Sequence, residues 1–181
     1  SGVCRIGGRA VFVPRTIVGE RWRVKILKVT ATAVYGRAEE ALRLSTERRE
    51  PECKSYPRCG GCSLRHMSYE EELRFKLTRL NDALKHIGHQ SVEAEEILGS
   101  DSVDRYRNKG IYTLQSIGGE IKSGFFAPRS HSLVAVEGCR IQKELSDRAV
   151  KAVLDFARKN SLPAYDEAER KGILRHVYVR C

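Results

Sequence analysis

The sequence predicts an α+β chain in two parts. A small OB-like β-barrel occupies residues 1–46, and a cysteine-centred region of antiparallel strands and helices occupies residues 47–181. Three observations carry this. Apolar and basic residues alternate with period two from Arg21 to Ile26, the mark of a half-buried strand. Cys53, Cys59 and Cys62 form a C-x5-C-x2-C loop bent by Pro57, Gly60 and Gly61. Beyond it, two stretches repeat apolar residues at steps of three and four on either side of a Gly118-Gly119 hairpin signal.

In chain order, Arg9 to Val13 is a short apolar strand closed by Pro14. After a turn ending at Gly19, Trp22, Val24 and Ile26 take one face of a second strand, and Arg21, Arg23 and Lys25 the other. A third strand covers Ala31 to Ala38 and extends through Ala41 to Leu44. Ser45 to Pro51 is polar, ends in proline and is expected to be a linker at a domain boundary. Ser68 opens a helix, with Glu71 three residues later completing a capping box. Leu73, Leu77, Leu80, Leu84 and Ile87 give this helix one apolar stripe that should pack against something, and Gly88 stops it. Strands follow at Tyr106–Gln115, Ile121–Phe126 and Leu133–Val136. A second helix spans Leu145 to Lys159, with Leu145, Ala149, Val153 and Phe156 as its buried face, and Gly172 to Arg180 closes the chain as a strand.

Thirty-three Lys and Arg against 23 Asp and Glu give a net charge of +10. An excess of this size in so small a chain favours a polyanionic partner, because binding phosphates releases their counterions. A solvated charged face produces the same alternation on the second strand, so the pattern alone does not choose between the two. No apolar run approaches the roughly 20 residues a membrane span requires. Six cysteines without an apolar leader segment argue for a reducing, cytoplasmic setting and for metal ligation rather than disulfides. The chain starts at Ser1, has Met67 as its single methionine and ends within a strand pattern, so a fragment is expected.

Three clustered thiols leave a four-ligand site one short. Cys139, between Gly138 and Arg140 at the end of an apolar strand, is the natural fourth ligand; Cys4 and Cys181 have no such context. A three-plus-one layout occurs in iron–sulfur proteins, whereas structural zinc sites more often pair two C-x2-C knuckles. Spacing leaves both metals open. His66, four residues past Cys62, is either a substitute ligand or a hydrogen-bonded loop histidine. Arg105, Arg107, Lys109 and Arg129 lie among Tyr106, Tyr112 and Phe125, the residue types that stack on bases and contact phosphates in RNA. No Gly-rich nucleotide loop and no nucleophile–base constellation is present in the sequence.

These segments, in this order, resemble the N-terminal and central part of the bacterial RNA (uracil-5-)-methyltransferases that act on 23S ribosomal RNA. The stretch from Arg9 to Arg15 together with Gly19 to Val24 is similar to that family's RNA-binding TRAM domain. Cys53, Cys59 and Cys62, with the following Ser63-Leu64-Arg65-His66, resemble its cluster loop. Val136 to Gln142 resembles the segment that carries the family's fourth ligand, here Cys139. Ser68 to Lys76, Tyr106 to Lys109, Gly124 to His131 and Gly172 to Arg180 complete the likeness, with Glu72 standing where the family usually has glutamine. The resemblance implies a [4Fe-4S] cluster on Cys53, Cys59, Cys62 and Cys139. Charge and strand placement make Arg21, Arg23, Lys25, Arg105, Arg107, Lys109 and Arg129 the expected RNA contacts, and the resemblance implies a monomer acting on ribosomal RNA, with a transfer RNA (uracil-5-)-methyltransferase or a stand-alone RNA-binding iron–sulfur module as the alternatives. It further implies an S-adenosylmethionine-binding, Rossmann-like catalytic domain beyond these residues, so no catalytic or S-adenosylmethionine-binding residue is expected among them.

Overall fold

The computed structural model describes residues 2–181. The chain splits into two compact units that interleave in sequence: Ser1–Pro51 with Ser63–Leu98, and Glu52–Cys62 with Gly99–Cys181. The cysteine loop thus belongs with the C-terminal strands, and the helix after it belongs with the N-terminal sheet, whereas the sequence predicts one boundary after residue 46.

The first unit contains strands β1 (Gly2–Ile6), β2 (Arg9–Val13), β3 (Arg21–Val29) and β4 (Ala33–Arg43), and helix α1 (Tyr69–His86). The sheet order is β1-β2-β4-β3, with β2 and β4 parallel and the other pairs antiparallel. Strand β1 adds to the three strands expected here. Its turn uses Gly7 and Gly8, both at positive φ, the conformation a two-residue hairpin requires and side chains resist. Val11, Val13, Ile17 and Ala33 are buried beneath the sheet. The expected alternation on β3 holds for Trp22 and Val24 but fails at Ile26, which is 51% exposed. The pairing of β3 with β4 is irregular at three places, between Arg21 and Trp22, Arg23 and Val24, and Ile26 and Lys28.

The segment expected to be a linker is instead packed. Glu20, whose side chain is wholly enclosed, accepts hydrogen bonds from Arg48 Nε (2.6 Å), the Trp22 indole (2.8 Å), Ile17 N (2.9 Å) and Ser45 N (3.2 Å). Arg48 also lies over the Trp22 ring. Polar residues at 45–48 therefore tie the chain back to the sheet. Ser68 caps α1 by accepting from Glu71 N at 3.2 Å. The reciprocal half of the capping box is replaced, because the Ser68 N–H donates to Glu47 O and the Glu71 carboxylate takes Arg74. The apolar stripe of α1 exists, yet no residue of the helix is buried.

The second unit contains β5 (Lys109–Ile117), β6 (Glu120–Phe126), β7 (Leu133–Ala135), β8 (His176–Arg180) and helix α2 (Glu144–Lys159). These strands form an antiparallel sheet ordered β7-β6-β5-β8. Its core is Tyr112, Leu114 and Ile121 against Val150, Leu154 and Ala157 of α2, with Phe125, Val177 and Val179 packed around them. The buried face of α2 is thus Ser146, Val150, Leu154 and Ala157. The expected face is displaced by one position: Leu145 and Phe156 are exposed. Both stripes have helical spacing, and side-chain size alone favours the wrong one. Strand β8 is shorter than expected because the chain before it pairs elsewhere, Leu174 bridging to Ala164.

Candidate functional site

The C-x5-C-x2-C loop is a series of tight turns. Tyr56 N–H donates to Cys53 O (2.9 Å) and Cys59 N–H to Ser55 O (2.7 Å), while buried Tyr56 anchors the loop from within. Its far side is fixed by Gly60, whose N–H donates to Phe126 O at 3.0 Å. A Cβ at residue 60 would stand 2.7 Å from that same oxygen, so only glycine permits this approach of loop to strand.

Cys139 is positioned independently, just ahead of α2. Its N–H donates to both carboxylate oxygens of Asp147 at 3.2 Å. Its carbonyl accepts from Gln142 N (3.1 Å) and from Arg105 Nη1 (3.0 Å). The same Arg105 nitrogen reaches Asp147 Oδ2 at 2.8 Å, and the Tyr112 hydroxyl donates to Asp147 Oδ1 at 3.1 Å. Asp147 is therefore the hub of the Cys139 turn, and burial together with its negative charge raises the Tyr112 pKa. Reasoning from sequence does not find Asp147. Its one signal is an acid in the first turn of a helix, which is common at helix N-termini for reasons unrelated to a site. Next to Cys139, Arg140 binds Asp104 and also Glu52, the residue before Cys53, so an ion pair links the two cysteine-bearing segments.

All six cysteines are free thiols, and the four candidates are partly buried. Burial pushes the Cys59 thiol up; the Gly61 N–H, 3.4 Å from its sulfur, pulls it down, and the charges of Cys139 and Cys53 push it up again. Burial likewise raises Cys139, against hydrogen bonds from the N–H groups of Ile141 and Gln142, with Cys62 and Asp147 adding to the rise. Among the described residues, no group of three or more His, Cys, Asp or Glu is disposed to hold a metal ion. Cysteine thiols are the soft donors that an iron–sulfur cluster takes, and one backbone N–H, that of Gly61, is directed at the Cys59 sulfur. His66 belongs to the first unit. It is buried there, and burial followed by the charge of Arg48 lowers its pKa to about 4.

The basic residues divide into two kinds. Arg21, Arg23 and Lys25 are exposed on β3, opposite Arg43, Glu40 and Arg37 respectively, and Arg23 pairs with Glu40. Arg107, Lys109 and Arg129 are also exposed, with Arg129 at positive φ in the turn between β6 and β7. Arg105 is engaged by Asp147 and the Cys139 turn. The expected interleaving with aromatics does not form: Tyr112 is 2% exposed and packs on Phe125 inside the core, leaving Tyr106 alone at the surface. Period-two strands bury alternate residues, and Tyr112 falls on the side that α2 covers.

No family model matches the chain. Across 179 residues, 99% of its length, it is 40% identical to an uncharacterized RNA methyltransferase of Clostridium tetani, of which it covers 39%. It is 37% identical over 180 residues to an uncharacterized RNA methyltransferase of Listeria monocytogenes, covering 40% of that protein. The chain spans about two fifths of the length of these curated relatives. Among solved structures it resembles the tRNA (uracil-54, C5)-methyltransferase of Pyrococcus abyssi, crystallised with S-adenosyl-L-homocysteine. The TM-score is 0.69 at 21% identity, over 94% of this chain and 38% of that one, a likeness of fold. Among the described residues, no helix is long and apolar enough to cross a membrane.

Proposed function

We propose that the chain, whose curated relatives are named RNA methyltransferases and are matched over about two fifths of their length, is the RNA-recognition and iron–sulfur part of an RNA (uracil-5-)-methyltransferase. In this reading the first unit is a TRAM-like barrel. The second carries a [4Fe-4S] cluster on Cys53, Cys59, Cys62 and Cys139. The methyl donor, S-adenosylmethionine, binds a domain outside these 181 residues, and the enzyme is a cytoplasmic monomer. The substrate is a uridine of 23S ribosomal RNA, methylated at carbon 5.

One observation carries the reading: four free thiols, from segments 77 residues apart in sequence, gathered in one unit of a chain homologous to RNA methyltransferases. The cluster's contribution is structural. It would hold the loop of residues 53–62 to the Cys139 turn, alongside the Gly60–Phe126 hydrogen bond and the Arg140–Glu52 ion pair. Flipping a uridine out of its stack costs a few kcal/mol, which contacts to the surrounding RNA must offset. Arg21, Arg23 and Lys25 supply such contacts as an exposed cationic row.

Affinity for a 23S ribosomal RNA fragment is expected to fall steeply with salt. Replacing Arg21, Arg23 and Lys25 together by alanine should weaken binding and flatten the slope by roughly 0.7–0.9 for each phosphate no longer neutralised. An unchanged slope would remove β3 from the interface. Preference for transfer RNA in competition would replace the ribosomal substrate.

A further inference from the structure

The sheet of the second unit has two faces, and α2 covers only one. Gly110, Tyr112 and Leu114 of β5 and Val177 and Val179 of β8 turn toward the core. The register places the alternate residues together on the opposite face. Lys109 stands beside Arg180, Ile111 beside Tyr178, Thr113 beside His176, and Gln115 beside Lys122 of β6. Directly opposed side chains in an antiparallel pair are neighbours, so these residues form one continuous surface. It runs about 20 Å along β5 from Lys109 to Gln115, at about 3.4 Å per residue.

Two properties of this surface point to its occupant. Its centre is open and partly apolar, with Tyr178 57% and Ile111 52% exposed beside Thr113 and His176. Its ends are cationic. Among the described residues neither Lys109 nor Arg180 has a carboxylate partner, and Lys122 meets only exposed Glu120, at 3.7 Å. An exposed ring flanked by unneutralised cations suits a flexible polyanion bearing flat apolar groups. Single-stranded RNA has that chemistry: bases stack on aromatic faces while phosphates meet the cations.

We propose that the β5–β8 face is a stacking platform for single-stranded RNA, with Tyr178 under a base and Lys109 and Arg180 on adjoining phosphates. This rests on the RNA-recognition reading above and adds to it a surface that does not involve the β3 row. The aromatic expected from sequence at this strand, Tyr112, lies on the buried side. The ring that serves is contributed by the last strand instead.

The test uses the full-length protein that carries these residues and a fluorescein-labelled 12-mer oligouridine, read by fluorescence anisotropy across a salt series. Tyr178→Ala should weaken binding by about five- to 150-fold, the range for loss of one stacked base, while Tyr178→Phe keeps the affinity. Lys109→Ala with Arg180→Ala should lower the salt slope by about 1.4, two phosphate contacts on a single strand. As a check needing no variant, a 5-bromouridine 12-mer should photocrosslink to the wild-type peptide containing Tyr178. If the chain binds the 12-mer but Tyr178→Ala binds equally and no crosslink maps to residues 176–180, the platform is wrong and RNA recognition stands. The platform is equally wrong if Tyr178→Ala instead changes the sedimentation of the chain, which would make the face a contact between copies. If the wild-type chain binds neither the 12-mer nor ribosomal RNA fragments, both readings fall.

Discussion

Glu20 illustrates how one side chain organises its surroundings. Burial alone would raise its pKa, but hydrogen bonds from Arg48, Ile17 N, the Trp22 indole and Ser45 N outweigh that and hold it at about 2. A carboxylate depressed from 4.5 to about 2 contributes stability that is complete above pH 4.5 and is lost as pH falls through 2. His66 acts in the same direction. Held neutral in the fold down to about pH 4, it opposes folding increasingly as pH drops from 6.5 toward 4, where the unfolded chain takes up a proton and the folded chain does not. Trp22 is the single tryptophan and touches both Glu20 and Arg48, so it reports on this cluster. Its emission is expected to shift to the red between about pH 4 and pH 2, and Glu20→Gln should move that transition to higher pH. Emission constant down to about pH 2 in the wild type would show that the cluster does not govern acid stability.

Helix α1 shows what is legible at the scale of elements and what is not. Its start is plain in the sequence, because Ser68 with Glu71 is a local signal and the cap forms. The partner of its apolar stripe is not, since periodicity says which face is apolar and nothing about what lies opposite. Ser68→Ala removes the acceptor for Glu71 N and the hydroxyl that donates to Glu47 Oε2 at 2.5 Å. The expected cost is about 1–2 kcal/mol, seen as a lower urea midpoint with an unchanged m-value. A midpoint within error of wild type would mean that Glu47 and solvent replace the cap without loss. Helix α2 makes the complementary point. Its span follows from the sequence to within one residue, but its buried face is displaced because small Ser146 and Ala157 face the core while Leu145 and Phe156 do not. Strand β1 escapes sequence reasoning because a five-residue strand mixing Cys4, Arg5 and apolar residues has no clean alternation. The Gly7-Gly8 turn is the signal available.

On the scale of the whole molecule, the cysteine spacing is readable at once, while the structure that supports it is not. Spacing nominates Cys53, Cys59, Cys62 and Cys139 as a ligand set, and the structure puts all four in one unit. Spacing does not reveal Asp147 and Arg105 holding the Cys139 turn, or Gly60 resting on Phe126, because those bonds join residues distant in sequence. The interleaved division of the chain follows from the same long-range bonds. A loop that sits between the N-terminal sheet and its helix in sequence is carried off to the C-terminal sheet.

Iron and acid-labile sulfide measured together on anaerobically purified protein bear most directly on what the four thiols are for. About four of each per chain are expected in the wild type, and both should be lost in Cys139→Ser, with loosening of the second unit. Stoichiometric zinc without sulfide, or a Cys139→Ser protein with its full iron content, would contradict the assignment.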